Sequence, residues 1–158
     1  VALRTTFIVG FPGETAEEFR ELTSFVREAR FDHLGVFTYS HEEGTPAGRL
    51  ADGVPRRVKL ARQRALMSAQ RRLVARANRA RVGERVAVLV DGAAPESSLV
   101  LKGRLEGQAP DIDSAVYLTD ADPAALRAGD LVQATVVAAR GYDLVARLEG
   151  SPPAWRRG

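Results

Sequence analysis

At 158 residues, with 45% hydrophobic but only 6% aromatic side chains, the chain can hold one medium domain or two small ones, cored by valine, leucine and alanine. It has no cysteine, so it forms no disulfide and holds no zinc or iron–sulfur group by its own sulfur; His33 and His41 offer no ligand set, and no metal site is expected. No apolar run nears the roughly 20 residues of a membrane span and no signal peptide is visible, so a cytoplasmic protein without membrane association is expected.

The net charge of +3 conceals three segments of opposite sign. Residues 1–53 carry five basic residues against nine acids, residues 54–83 carry ten basic residues and no acid, and residues 84–149 carry six against eleven. The expected division follows these shifts: an α/β piece over 1–53, a basic amphipathic linking helix over 54–83, a small β-barrel over 84–149 and a flexible tail over 150–158. The abrupt start, four residues before a strand, reads as truncation.

In chain order, Thr5 to Val9 reads as a short strand that runs into a Gly/Pro turn, Gly10-Phe11-Pro12-Gly13. Thr15 with Glu18 three residues on gives a capping box, and Phe19, Leu22, Val26 and Ala29 share one face of the helix that follows. A second apolar run covers 34–39. Strand, helix, strand predicts a right-handed parallel unit whose strands end at one sheet edge, where ligands of α/β folds collect. By spacing alone, Gly10 and Gly13 read more simply as a tight turn.

Pro55 and Gly83 bracket a long helix, with Leu60, Leu66, Met67, Leu73, Val74 and Ala77 in one apolar arc and arginines over most of the rest. Such a field attracts RNA phosphates, and neutralisation by the acidic flanking segments is the open alternative. Beyond Glu84 the periodicity falls to two. Strands are expected over 86–90, 98–104, 115–118, 131–138 and 142–147, with a turn at Asp91-Gly92. Five short strands fit a closed, OB-like barrel. That barrel carries a net of −5 and only two aromatics, Tyr117 and Tyr142, which favours a basic protein over RNA as its partner.

TTFIVGFPGET and HLGVFTYSHEEGTPAGRL together resemble the last part of the radical-SAM domain of the methylthiotransferases. The strand order after Glu84, with Gly129-Asp130 and Gly141-Tyr142-Asp143-Leu144, resembles the TRAM domain that ends those enzymes. Gln108-Ala-Pro-Asp-Ile-Asp113 is similar to a stretch in the branch acting on an aspartate of small-subunit ribosomal protein twelve rather than on transfer RNA; on its own it is equally an acidic inter-strand loop. The family's C-x-x-x-C-x-x-C motif is absent, and His41 stands where a proline is usual.

The fold this resemblance implies is the C-terminal part of a radical-SAM (β/α) partial barrel, a long basic helix and a five-stranded TRAM barrel. It implies S-adenosylmethionine and two 4Fe–4S clusters in the whole enzyme, with the cluster ligands outside this chain and the chain inactive alone. Ile8 and Gly10 match an Ile-x-Gly pattern that lies against the adenine, and Phe37 and Tyr39 are further cofactor contacts, although burial tendency by itself favours the core for Phe37. Gln108, Asp111 and Asp113, with Arg64, Arg71 and Arg72 on the helix, are the expected partner contacts. No catalytic acid, base or nucleophile stands out; Glu14, Glu42 and Glu43 read as capping or solvated loop carboxylates. A monomer is expected. A fragment of a transfer-RNA-modifying enzyme, or a free-standing RNA-binding module using the basic helix, stays open beside this reading.

Overall fold

The computed structural model describes residues 2–150, so the expected tail at 150–158 lies, but for Gly150, outside the described residues. The chain forms two compact units, one ending at Leu73 and the other beginning at Val74.

The first unit holds β1 (Arg4–Val9), α1 (Ala16–Ala29), β2 (His33–Thr38), a short 3-10 turn at Ala47–Arg49 and the greater part of α2 (Arg56–Ala80). β1 and β2 pair in parallel, from Arg4 opposite His33 to Val9 opposite Thr38. The strand ends where Gly10 and Gly13 take positive φ, a conformation that side chains beyond glycine avoid. Thr15 then caps α1: its hydroxyl accepts from the Glu18 amide, and the Glu18 carboxylate accepts from the Thr15 amide at 2.7 Å. The Thr15 amide first, and then the Thr15 hydroxyl donating to Glu18 Oε2 at 2.9 Å, hold the Glu18 carboxyl below its ordinary pKa. Val9, Val26, Val36 and Leu66 form the core, and Phe7, Phe19, Phe31 and Met67 pack against it. Alternation along the strands puts Val9 and Val36 into this core and turns Ile8 and Phe37 to the opposite, open face.

The buried face of α2 is only partly apolar. Lys59 and Gln70 are buried beside Leu66 and Ala69. The Gln63 side-chain amide donates to the Val36 carbonyl at 2.8 Å, and the Gln70 amide donates to the Phe31 carbonyl at 2.7 Å. Both bonds satisfy backbone carbonyls in and before β2.

In the second unit, β3 (Arg85–Ala94), β4 (Ser97–Arg104), β5 (Val116–Thr119), β6 (Leu131–Arg140) and β7 (Asp143–Leu148) close into a barrel in the order β3-β4-β5-β7-β6, with β6 pairing back on β3. β5 and β7 run parallel; the other neighbours are antiparallel. The interior is Val86, Val88, Val90, Leu101, Val116, Leu118, Leu126, Val132, Ala134, Val136, Leu144 and Ala146. The expected OB-like closure and the period-two alternation are both present. β4 approaches β3 so closely at Gly103 that a Cβ there would lie 2.5 Å from the Leu89 carbonyl oxygen.

One expected turn is corrected. Asp91-Gly92 does not end β3: the register slips by one residue between Val90 and Gly92, a bulge that Gly92 permits with its positive φ, and the chain reverses at Pro95-Glu96. Asp91 is held by Arg104 on the facing strand, so it serves the ladder and not a turn. β6 also runs on to Arg140, past the expected end, through a second bulge between Val136 and Ala138.

Candidate functional site

At the carboxyl edge of β1 and β2 the turn is clamped by charge. The Gly10 amide donates to Glu14 Oε2 at 2.8 Å, and Arg62 of α2 donates to the other carboxylate oxygen and, at 3.0 Å, to the Glu14 carbonyl. Beneath the turn, Lys59 Nζ donates to Asp52 Oδ2 at 2.6 Å and to the Tyr39 carbonyl at 3.3 Å, and lies 4.8 Å from the centre of the Tyr39 ring. A Cβ on Gly10 would meet the Lys59 stem at 2.3 Å. Gly10 thus makes room for a lysine.

Of the four residues expected against a cofactor, Ile8 and Phe37 are register partners on the open face, 57% and 63% exposed. The core place that burial tendency favours for Phe37 is therefore not what this chain shows. Their shared face is an apolar wall able to meet a flat ring. Gly10 and Tyr39 gather around Lys59 instead; Tyr39 stacks edge-on against Phe11, and its buried hydroxyl has no partner among the described residues. Sequence reasoning missed Lys59, Arg62, Gln63 and Gln70. Their signal was positional: each falls on the Leu66 side of α2, where a solvated residue is out of place.

Along α2 and just past its end, charge neutralisation is partial. Lys59 pairs with Asp52, Arg62 with Glu14 and Arg81 with Glu84. Among the described residues no carboxylate pairs with Arg56, Arg57, Arg64, Arg71, Arg72, Arg76 or Arg79, and all seven are exposed. Arg72 donates to Ser68 Oγ one turn back.

The barrel carries a cleft of about 230 Å³ lined by five carboxylates, Asp91, Glu96, Asp111, Asp113 and Asp143, against two cations, Lys102 and Arg104, with Tyr117 on its wall. The loop along one side is stapled from within. Gln108 accepts from the Leu105 amide at 2.7 Å and donates to Ser114 Oγ at 2.9 Å, while Asp113 accepts from the Ala109 amide at 2.6 Å. These bonds throw the tip outward: Asp111 takes a φ of 59°, with Lys102 at 3.6 Å, and Ile112 is 78% exposed. Of the three partner contacts expected here, then, Asp111 faces outward, whereas Gln108 and Asp113 shape the loop. Asp143 accepts from the Ala115 amide at 2.9 Å. Burial, followed by the nearby charges of Glu96 and Asp143, pushes the Tyr117 phenol up from its ordinary value. The negative excess suits a cationic guest. Arg64, Arg71 and Arg72 belong to the other unit.

Residues 82–148 match the family model described as the TRAM domain. This stretch is similar to a TRAM domain. It contains all five strands of the barrel and every residue of the cleft. Beyond the TRAM domain, the chain is similar over nearly its whole length to proteins named ribosomal protein uS12 methylthiotransferase RimO. It is 50% identical to the protein of Trichlorobacter lovleyi over 148 residues, which are 94% of this chain and 32% of that protein. With the protein of Myxococcus xanthus the identity is 47%, over 96% of this chain and 31% of the relative; with that of Aquifex aeolicus it is 46%, over 91% and 33%. The chain spans about a third of the length of these relatives, and with its TRAM domain it fits a C-terminal portion of such a protein. No helix among the described residues is long and apolar enough to cross a membrane.

Proposed function

We propose that the chain is the C-terminal portion of a cytoplasmic radical-SAM methylthiotransferase that methylthiolates the β-carbon of an aspartate in ribosomal protein uS12, and that its TRAM domain docks this basic substrate. The observation that carries the docking is the cleft with five carboxylates against two cations, edged by the outward tip Pro110-Asp111-Ile112. The similarity to uS12 methylthiotransferases over 94% of the chain supports the reaction. The same negative excess disfavours transfer RNA as the guest of this cleft.

S-adenosylmethionine and two iron–sulfur clusters supply the radical chemistry of such an enzyme. The chain has no cysteine, and no group of three or more metal-ligating side chains occurs among its described residues, which fits cluster ligands supplied from elsewhere in the whole protein. What it offers the nucleoside is the apolar pair Ile8 and Phe37 on the exposed side of β1 and β2. Clamped by Glu14 and Arg62, the turn after β1 keeps that pair in place.

Titration of the whole chain with purified uS12 tests the docking. Replacing Glu96→Gln together with Asp111→Asn removes two carboxylates that hold no backbone bond, and uS12 binding is expected to weaken roughly three- to tenfold near physiological salt. Unchanged affinity in the folded double variant refutes docking at the cleft.

A further inference from the structure

We infer that Arg57, Arg64, Arg71 and Arg72 on α2 form a binding stripe for the phosphate backbone of RNA, separate from the TRAM cleft. All four lie in the first unit, are exposed, and pair with no carboxylate among the described residues. Arg57, Arg64 and Arg71 recur every seventh residue, so they follow one line along the helix about 10 Å apart, and the four together fall within an arc of about 100°. α2 itself has no carboxylate, and between the arginines its exposed positions are Ala61, Ala65 and Ser68. Small side chains let a polynucleotide backbone lie close, so that each guanidinium can reach a phosphate oxygen in its forked geometry.

The structure also answers the alternative that acidic neighbours neutralise the helix. They take Lys59, Arg62 and Arg81, and leave the stripe. A membrane surface would call for an apolar flank beside the charge, and a protein interface for an aromatic or aliphatic anchor; the exposed arc holds neither. With no aromatic on α2 for base stacking, the contact is a positioning one without sequence preference. The choice of RNA over DNA rests on the proposed function: a ribosomal protein is met beside RNA, and the stripe would hold the enzyme there while the cleft engages uS12.

Fluorescence anisotropy of the whole chain with a labelled RNA hairpin of arbitrary sequence tests the stripe. If all four arginines meet phosphates, affinity falls on the order of a hundredfold between about 50 and about 200 mM salt, and the slope of log affinity against log salt drops by about three when Arg57, Arg64, Arg71 and Arg72 are all changed to Gln. Changing Arg85, Arg127, Arg140 and Arg147 of the barrel to Gln removes the same charge and is expected to alter affinity less than about threefold. Should the fourfold α2 variant melt early, the pair Arg64→Gln/Arg71→Gln is read the same way, at about half the slope change. The inference is overturned by wild-type RNA affinity in the folded α2 variant, by an equal loss in the barrel variant, or by displacement of the hairpin from α2 by phosphatidylserine vesicles. A DNA duplex that competes equally overturns the choice of RNA and leaves the uS12 titration untouched.

Discussion

In the barrel every strand has two hydrogen-bonded neighbours, whereas β1 and β2 have only each other. The barrel turns its valines inward and leaves no edge, so its core is complete within this chain. The first unit buries one face of a two-stranded sheet under α1 and α2, shows the other face with Ile8 and Phe37, and ties its turn with polar bonds from Glu14 and Arg62. One region is finished by closure and the other is braced by charge. The finished region suits docking, because a cleft on a rigid wall keeps its shape. An uncovered apolar face suits contact with what the rest of a larger protein supplies.

Three measurements would sharpen or break this contrast. The largest effect is expected from Leu144→Ala, which empties a fully buried position of the barrel and should cost about 3 kcal/mol in denaturant unfolding of the second unit. A cost below about 1 kcal/mol would mean that the barrel is loosely packed and not self-sufficient. Next comes Glu14→Ala. Glu14 and Arg62 expose only 12% and 11% of their side chains, so the change strands a nearly buried guanidinium and should destabilise the first unit by about 2–3 kcal/mol, with faster amide exchange at Gly10. If Gly10 exchange is unchanged, polar bracing does not order the turn.

The smallest effect is a pH dependence. Glu149 accepts from the Thr135 hydroxyl and pairs with Arg85, and these contacts, the hydroxyl bond first, hold its carboxyl below the ordinary range. A carboxyl whose pKa is depressed on folding adds stability above its unfolded pKa and loses it as pH falls through the folded value. Glu149→Gln should therefore lower the melting temperature of the barrel at neutral pH and have little effect near pH 3, a convergence that melting curves across the acid range would show. A constant gap at every pH would assign the loss to packing alone.

Much of this was legible in the sequence, and the misses share a cause. The capping box at Thr15, the parallel strand pair and the alternation Val86, Val88, Val90 follow from local chemistry, so they could be read directly. Asp91-Gly92 has the composition of a turn, yet Arg104 on β4 draws Asp91 into the ladder, and only pairing partners decide between turn and bulge. Lys59 looked like one more member of a basic face; its burial depends on a space that Gly10, far away in sequence, leaves open. In the loop at 108–113 the residue types were read as one contact patch, but hydrogen bonds divide them into Gln108 and Asp113, which build, and Asp111, which faces outward. Long-range pairing separates a brace from a binding group, and composition does not carry that information.

The place of β7 has a consequence for how the barrel is made. It is the last strand among the described residues, yet it sits between β5 and β6 and bonds to both. While a nascent chain still holds residues 143–148 in the ribosomal exit tunnel, two strand edges stay bare and the acidic cleft lacks Asp143. Ring closure thus waits on β7, and a chain cut short at Gly141 leaves the facing edges of β5 and β6 bare.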